Sequence, residues 1–263
     1  MNLHFDDQYQ QGNSVVHQLD PRIKVILTLL FVLTASLTPF GDFGIFAALF
    51  AFVMLVALNT GVGVRYVLRR SVVALPFALA AITLPFTLPG EILATLPIFG
   101  GLTISLPGVI RFVTILLKSW ISLQMAILLV AVTPVADILW ALRALHLPQP
   151  LVAIVSFMYR YLFVLSDEVL RLLRARAARS GTRAGLRSGG SIVWRGQVAG
   201  RMAGSLMLRS FERSERIYNA MLARGYTGQI STLIRSHLRP IDFIALFTTL
   251  TFFCTLLFLA YLT

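Results

Sequence analysis

The sequence predicts an all-α integral membrane protein, with about five transmembrane helices and a cytoplasmic domain of amphipathic helices. Three observations carry that prediction. The 263 residues are 57% apolar and only 13% charged, whereas a soluble domain carries about a quarter charged residues. Apolar runs close to the length of a bilayer crossing recur along the chain. The formal charge of +12 is also concentrated, because residues 134–240 hold sixteen arginines, no lysine and five acids, a net of +11. Such a block between apolar runs is expected to stay on the cytoplasmic side.

The elements follow in order. Residues 1–18 form a polar lead-in, and its opening MNLHFDDQYQQGN has no cleavable-signal pattern. Leu19-Asp20-Pro21-Arg22 starts a helix, with Asp20 as the cap and Pro21 at the first helical position. The apolar run Val25 to Phe40 spans only if that helix begins near Pro21 and Lys24 snorkels. Gly41-Asp42 leads to a second span, Phe43 to about Asn59. Arg65, Arg69 and Arg70 precede a third, Ser71 to Leu88, which contains Pro76 and Pro85. Residues 89–106 carry one charge, Glu91, and many Pro and Gly, which predicts a loop. The fourth span runs from near Pro107 to Thr133, with Arg111 near one end and Lys118 inside. An intramembrane lysine is either functional or a side chain reaching the interface or a buried polar partner.

Thr133-Pro134 opens a short amphipathic helix, PVADILWALRALH, which Leu147-Pro148-Gln149-Pro150 breaks. A long helix then runs from Leu151 to about Ser180, apolar in its first half and dense in arginine in its second. Residues 181–200, rich in Gly, Ser and Arg, predict a flexible connection. Met202 to Gly228 is an amphipathic helix. Met202, Leu206, Ser210 or Phe211, Ser214, Ile217 or Tyr218, Met221 and Leu222 form its stripe, and its other face carries Arg209, Glu212, Arg213, Glu215 and Arg216. Glu212 stands four residues before Arg216, the favourable order for a helical ion pair. Gly225 and Gly228 stop it, and Phe243 to Leu262 is the last span.

This divides the chain into a tail with four spans (1–133), a cytoplasmic helical domain (134–240) and a closing span (241–263). With the N-terminus inside, the basic clusters face the cytoplasm and Asp42 and Glu91 face outward, with Arg111 the exception. A crossing by residues 151–166 would carry the arginine block outside, so that helix is expected at the interface.

Several chemistries lack their signatures. There is no GxxxxGK[ST] phosphate loop, no HExxH and no GxSxG, and no pair of Asp-rich motifs. No two of His4, His17, His146 and His237 sit at metal-ligand spacing. Cys254 stands alone in an apolar run and is expected to pack there. The Gly pair in Ser188-Gly189-Gly190-Ser191 is expected to be linker. No cofactor is expected on this chain.

Two matching helix ends remain. Ala178-Arg179-Ser180 closes the first long helix and Ala223-Arg224-Gly225 the second, with the arginines 45 positions apart. Small neighbours leave each guanidinium free to enter a groove and meet carboxylates and carbonyl oxygens. The plain alternative is a pair of solvated surface arginines.

With these residues in place, the chain resembles the transmembrane T component of energy-coupling factor transporters, within it the cobalt-type CbiQ branch. The resemblance covers nearly the whole length. It rests on LDPRIK (Leu19–Lys24), TPVADILWALRALHLP (Thr133–Pro148), YRYLFVLSDEVLRLLRARAARSG (Tyr159–Gly181) and LRSFERSERIYNAMLARGYTG (Leu208–Gly228). It implies that Ala178, Arg179, Ser180, Ala223, Arg224 and Gly225 end coupling helices that dock into two ABC-type ATPase subunits. Those partners would carry ATP and Mg. A substrate-binding membrane subunit similar to CbiM, with a small accessory membrane subunit, would complete the complex in a bacterial inner membrane. Cobalt and nickel are not distinguished by these residues. Two other classes remain: a membrane enzyme using Lys118, Asp137 or Glu168, and nucleic-acid binding by the arginine block. The Glu and Asp residues on the same helices argue against the second.

Overall fold

The computed structural model describes residues 9–12, 14–87, 89–96, 102–179, 191–228 and 238–262. After a single turn, α1 (Val15–Gln18), the first long helix is α2 (Pro21–Leu37). Asp20 caps α2 as expected, accepting the Arg22 backbone N–H at 2.8 Å. α3 (Phe43–Thr60) and α7 (Leu106–Val132) match two of the expected spans, and α11 (Pro240–Leu262) matches the last. Between them lie α4 (Val64–Arg70), a 3₁₀ turn (Ser71–Ala74), α5 (Leu75–Ala81) and α6 (Leu84–Thr87). α8 (Val135–Ala144), α9 (Gln149–Arg179) and α10 (Ile192–Ala223) complete the chain. The fold is that of an all-α membrane protein, with one small two-stranded sheet added.

Five expectations change. The third span is not one rod: Val64–Ala74 and Leu79–Thr87 meet at 44°. Pro76 and Pro85 each remove an amide donor, so a continuous ladder cannot run through both. Residues 89–106 are not all loop, since β1 (Ile92–Leu96) pairs antiparallel with β2 (Leu102–Ser105). Lys24 does not snorkel; it is buried, and its Nζ donates to the His17 carbonyl at 2.9 Å. The connection expected over 181–200 is helical from Ile192, because Ser191 caps α10 by accepting the Trp194 N–H at 3.2 Å. Cys254 is exposed on α11 rather than packed.

Four helices among the described residues are long and apolar enough to cross a membrane, or five if the bent pair is one span. They are α3, α7, α9 and α11; α2, at 17 residues, is about 25 Å long and falls just short. α9 passes on its apolar first half, where charge placement argued for an interfacial helix.

By packing, the described residues fall into two compact units, those of 6–145 with 234–263, and those of 146–233. α8 therefore belongs with the first unit. There, α2, α3, α7 and α11 bury Phe31, Phe46, Leu49, Val53, Ile121 and Phe253 in one core. Phe31 stacks on Phe52 at 6.0 Å and meets Phe253 edge-on at 5.7 Å. Two helix starts in this unit share a carboxylate. Asp242 reaches back to the Arg239 N–H at 2.8 Å, half of a capping box, and its other oxygen accepts the Asp20 N–H at 3.0 Å. The Arg22 guanidinium lies 4.4 Å from the centre of the Trp140 ring, tying α8 to the same corner.

Candidate functional site

In the unit of residues 146–233, α9 and α10 pack against each other, meeting between two grooves. Early α9 faces late α10: Phe157, Tyr161 and Leu165 line a groove of about 400 Å³ with Ile217, Tyr218 and Met221. Late α9 faces early α10: Leu172, Leu173 and Arg176 line a second groove of about 190 Å³ with Ala199, Met202 and Leu206. The helices therefore run antiparallel. The stripe expected on α10 is the face turned to α9.

At the crossing, between the two grooves, sits Glu168. Its Oε1 accepts from Arg209 Nη1 at 3.2 Å and its Oε2 from Arg213 Nη2 at 2.7 Å. Glu168 is 15% exposed, and Arg213 and Arg209 are 32% and 57% exposed. The hydrogen bond from Arg209, seconded by Arg213, holds the Glu168 carboxyl below the usual carboxylate range, with partial burial opposing. Sequence reading treated Glu168 only as an isolated titratable group. A signal was available: Arg209 and Arg213 are like charges one turn apart, which repel unless an anion faces them. The expected Glu212–Arg216 ion pair is replaced by a bond from Arg216 Nε to the Glu212 backbone carbonyl at 3.3 Å.

Both arginine ends lie on this pair. Arg179 is the last residue of α9 and, like Ala178, is exposed; Ser180 lies outside the described residues. Arg224 is the C-cap of α10, and Gly225 behind it takes φ +79°. The Tyr226 N–H bonds the Met221 carbonyl at 3.0 Å and the Gly225 N–H bonds that of Leu222 at 2.9 Å. This is a Schellman ending, and Met221 and Tyr226 close it as neighbours lining the larger groove. Glycine at 225 is favoured by the left-handed φ alone, since a Cβ there would meet nothing within 4 Å. Ala223 and Arg224 are exposed, and among the described residues neither Arg179 nor Arg224 has a side-chain partner.

Spacing completes the geometry. Arg179 lies eleven residues beyond Glu168 and Arg224 eleven beyond Arg213, each about 16 Å of helix. Because the helices are antiparallel, the arginines point away from the crossing in opposite directions, roughly 30 Å apart.

The other candidate residues are engaged elsewhere. Lys118 donates to the Ser36 and Thr38 carbonyls at 2.9 and 2.7 Å, and Tyr261 donates to that of Leu37 at 3.2 Å, so the orphan carbonyls at the end of α2 are capped from α7 and α11. Asp137 stands in the first turn of α8; burial raises its carboxyl above the usual range, with Lys24 opposing. His17 bonds Ser14 Oγ at 2.7 Å and the Gln10 carbonyl at 3.0 Å. Among the described residues no three His, Cys, Asp or Glu side chains could hold a metal ion together.

Comparison with known proteins agrees with this architecture. The profile of the cobalt transport protein family CbiQ matches residues 12–233, a range that takes in both arginine ends. An energy-coupling factor transporter transmembrane protein EcfT of Bacillus selenitireducens is 30% identical over 234 residues, 84% of this chain and 83% of that protein. An uncharacterised protein of Methanocaldococcus jannaschii is 25% identical over 246 residues, 90% of this chain and 80% of that one. The cobalt transport protein CbiQ of Rhodobacter capsulatus is 30% identical over 108 residues, 40% of each chain. This multi-pass chain belongs to the CbiQ cobalt transport protein family, the family of transmembrane components of energy-coupling factor transporters.

Proposed function

We propose that this chain is the coupling subunit of an energy-coupling factor importer for cobalt or nickel ions. ATP and Mg bind to two ABC-type ATPase subunits on the cytoplasmic side, and none binds here. Closure of those subunits moves α9 and α10, which pass the motion to the membrane helices and to a separate substrate-binding membrane subunit. The observation that carries this reading is the pair of exposed arginines, Arg179 and Arg224, at opposite ends of one antiparallel crossing. One tip for each of two ATPases is what that geometry offers. An arginine fork entering a pocket on a moving partner gains charge-assisted bonds that a lysine or alanine cannot reproduce.

The test is a double substitution, Arg179→Ala with Arg224→Ala, in the complete transport complex. Both ATPase subunits are expected to be lost on purification from membranes, and metal uptake with them, while this chain stays in the membrane. Unimpaired uptake together with intact co-purification overturns the reading.

A further inference from the structure

We propose that Glu168 is a positioning residue: the pivot that fixes the angle at which α9 and α10 cross, and so the spacing of Arg179 and Arg224. For its transport consequence this rests on the coupling function above. The geometry itself does not.

The argument starts from what else could fix the crossing. Grooves of about 400 and 190 Å³ flank it, so side-chain interlocking is incomplete on both sides. No residue of α10 is buried, and in α9 only Val152 is. Glu168 sits between those two grooves. It spends both carboxylate oxygens on two arginines from successive turns of the partner helix. Two bonds from one planar group to two points along a helix resist rotation, whereas a single bond would allow swivelling. The arms are long relative to the pivot. With about 16 Å from pivot to each tip, a change of about 10° moves a tip by about 3 Å. That is the width of a hydrogen bond, enough to put an arginine in or out of register with a pocket.

The test uses the full chain in lipid nanodiscs with Cys254→Ser, carrying spin labels at Ala175→Cys and Gln197→Cys. Both positions are exposed, and they lie on the two arms on one side of the crossing. With Glu168 intact, a single narrow distance distribution is expected. Glu168→Gln keeps the shape and removes the charge, and should broaden the distribution at least twofold. Reversing the pair, Glu168→Arg with Arg209→Glu and Arg213→Glu, should restore the narrow distribution. An unchanged distribution in Glu168→Gln, or no restoration on reversal, overturns the pivot. In the reconstituted transporter, Glu168→Gln should raise the ATP hydrolysed per ion imported about fivefold, while both ATPases remain bound. A broadened distribution with unchanged coupling overturns the positioning role. Loss of the ATPases from the unsubstituted chain would instead count against the coupling function and leave the spacing result standing.

Discussion

The two compact units of this protein are held by different forces. In the unit with α2, α3, α7 and α11, Phe31, Leu49, Val53 and Ala57 have no exposed surface at all, and ring contacts link three of the helices. In the unit with α9 and α10, open grooves remain, and between them one carboxylate lies between two guanidinium groups. A close-packed assembly has few neighbouring arrangements of similar energy, so it behaves as a frame. A crossing held by ion pairs, with voids beside it, can change angle without opening a core. The frame and the lever are separable in the chemistry of their contacts, and that separation can be tested.

The largest effect is expected in the frame. Phe31→Ala removes a fully buried ring that contacts Phe52 and Phe253. In lipid the transfer contribution between helices is small, so the loss is one of packing and cavity. It should still destabilise the protein by about 2–3 kcal/mol, measured by thermal unfolding in detergent. The distance between labels on α9 and α10 should not change below the transition. A change in that distance in the folded protein would mean that frame and lever are one cooperative body.

What the sequence disclosed divides along the same line. The frame was legible because its signals are local: Asp20-Pro21 states a helix start, and Phe43 to Asn59 states a span without help from any other segment. The arginine ends were legible for a similar reason, since Ala223-Arg224-Gly225 encodes its own left-handed stop. The interactions that cross between elements were not. Glu168 gains its role only when α10 is laid antiparallel over α9, and periodicity along one helix does not reveal which helix faces it. Lys118 has backbone carbonyls as partners, which no pattern of side chains announces. The start of α10 was missed for another reason. Gly196 and Gly200 resemble linker glycines, yet both lie inside a helix that Ser191 caps and that continues for 32 residues. A cap worth about 1 kcal/mol offsets part of the cost of about 1 kcal/mol for each interior glycine.

A smaller effect is expected at the end of the lever. Gly225→Ala places a Cβ at φ +79° in open space, so its cost is backbone strain alone, about 1 kcal/mol. The loss should be local. The amide hydrogens of Gly225 and Tyr226, which close the Schellman turn onto Leu222 and Met221, should exchange several-fold faster while the amides of α3 and α7 keep their protection. Equal acceleration in the frame would contradict the division.

The smallest effect is a pH dependence of the crossing. The bonds from Arg209 and Arg213 depress the Glu168 carboxyl below its ordinary range, so the folded state binds this proton less readily than the unfolded chain. Its contribution is therefore fully present above the ordinary glutamate value of about 4.3 and is lost only as pH falls through the depressed folded value. The distance distribution between labels on α9 and α10 should hold constant from about pH 8 to about pH 5 and broaden only below about pH 4. Raising salt should also broaden it slightly, because Arg209 is 57% exposed and its half of the pair is screened. Broadening already between pH 8 and pH 6 would assign the angle to a group other than Glu168, and the lever would then need a different pivot.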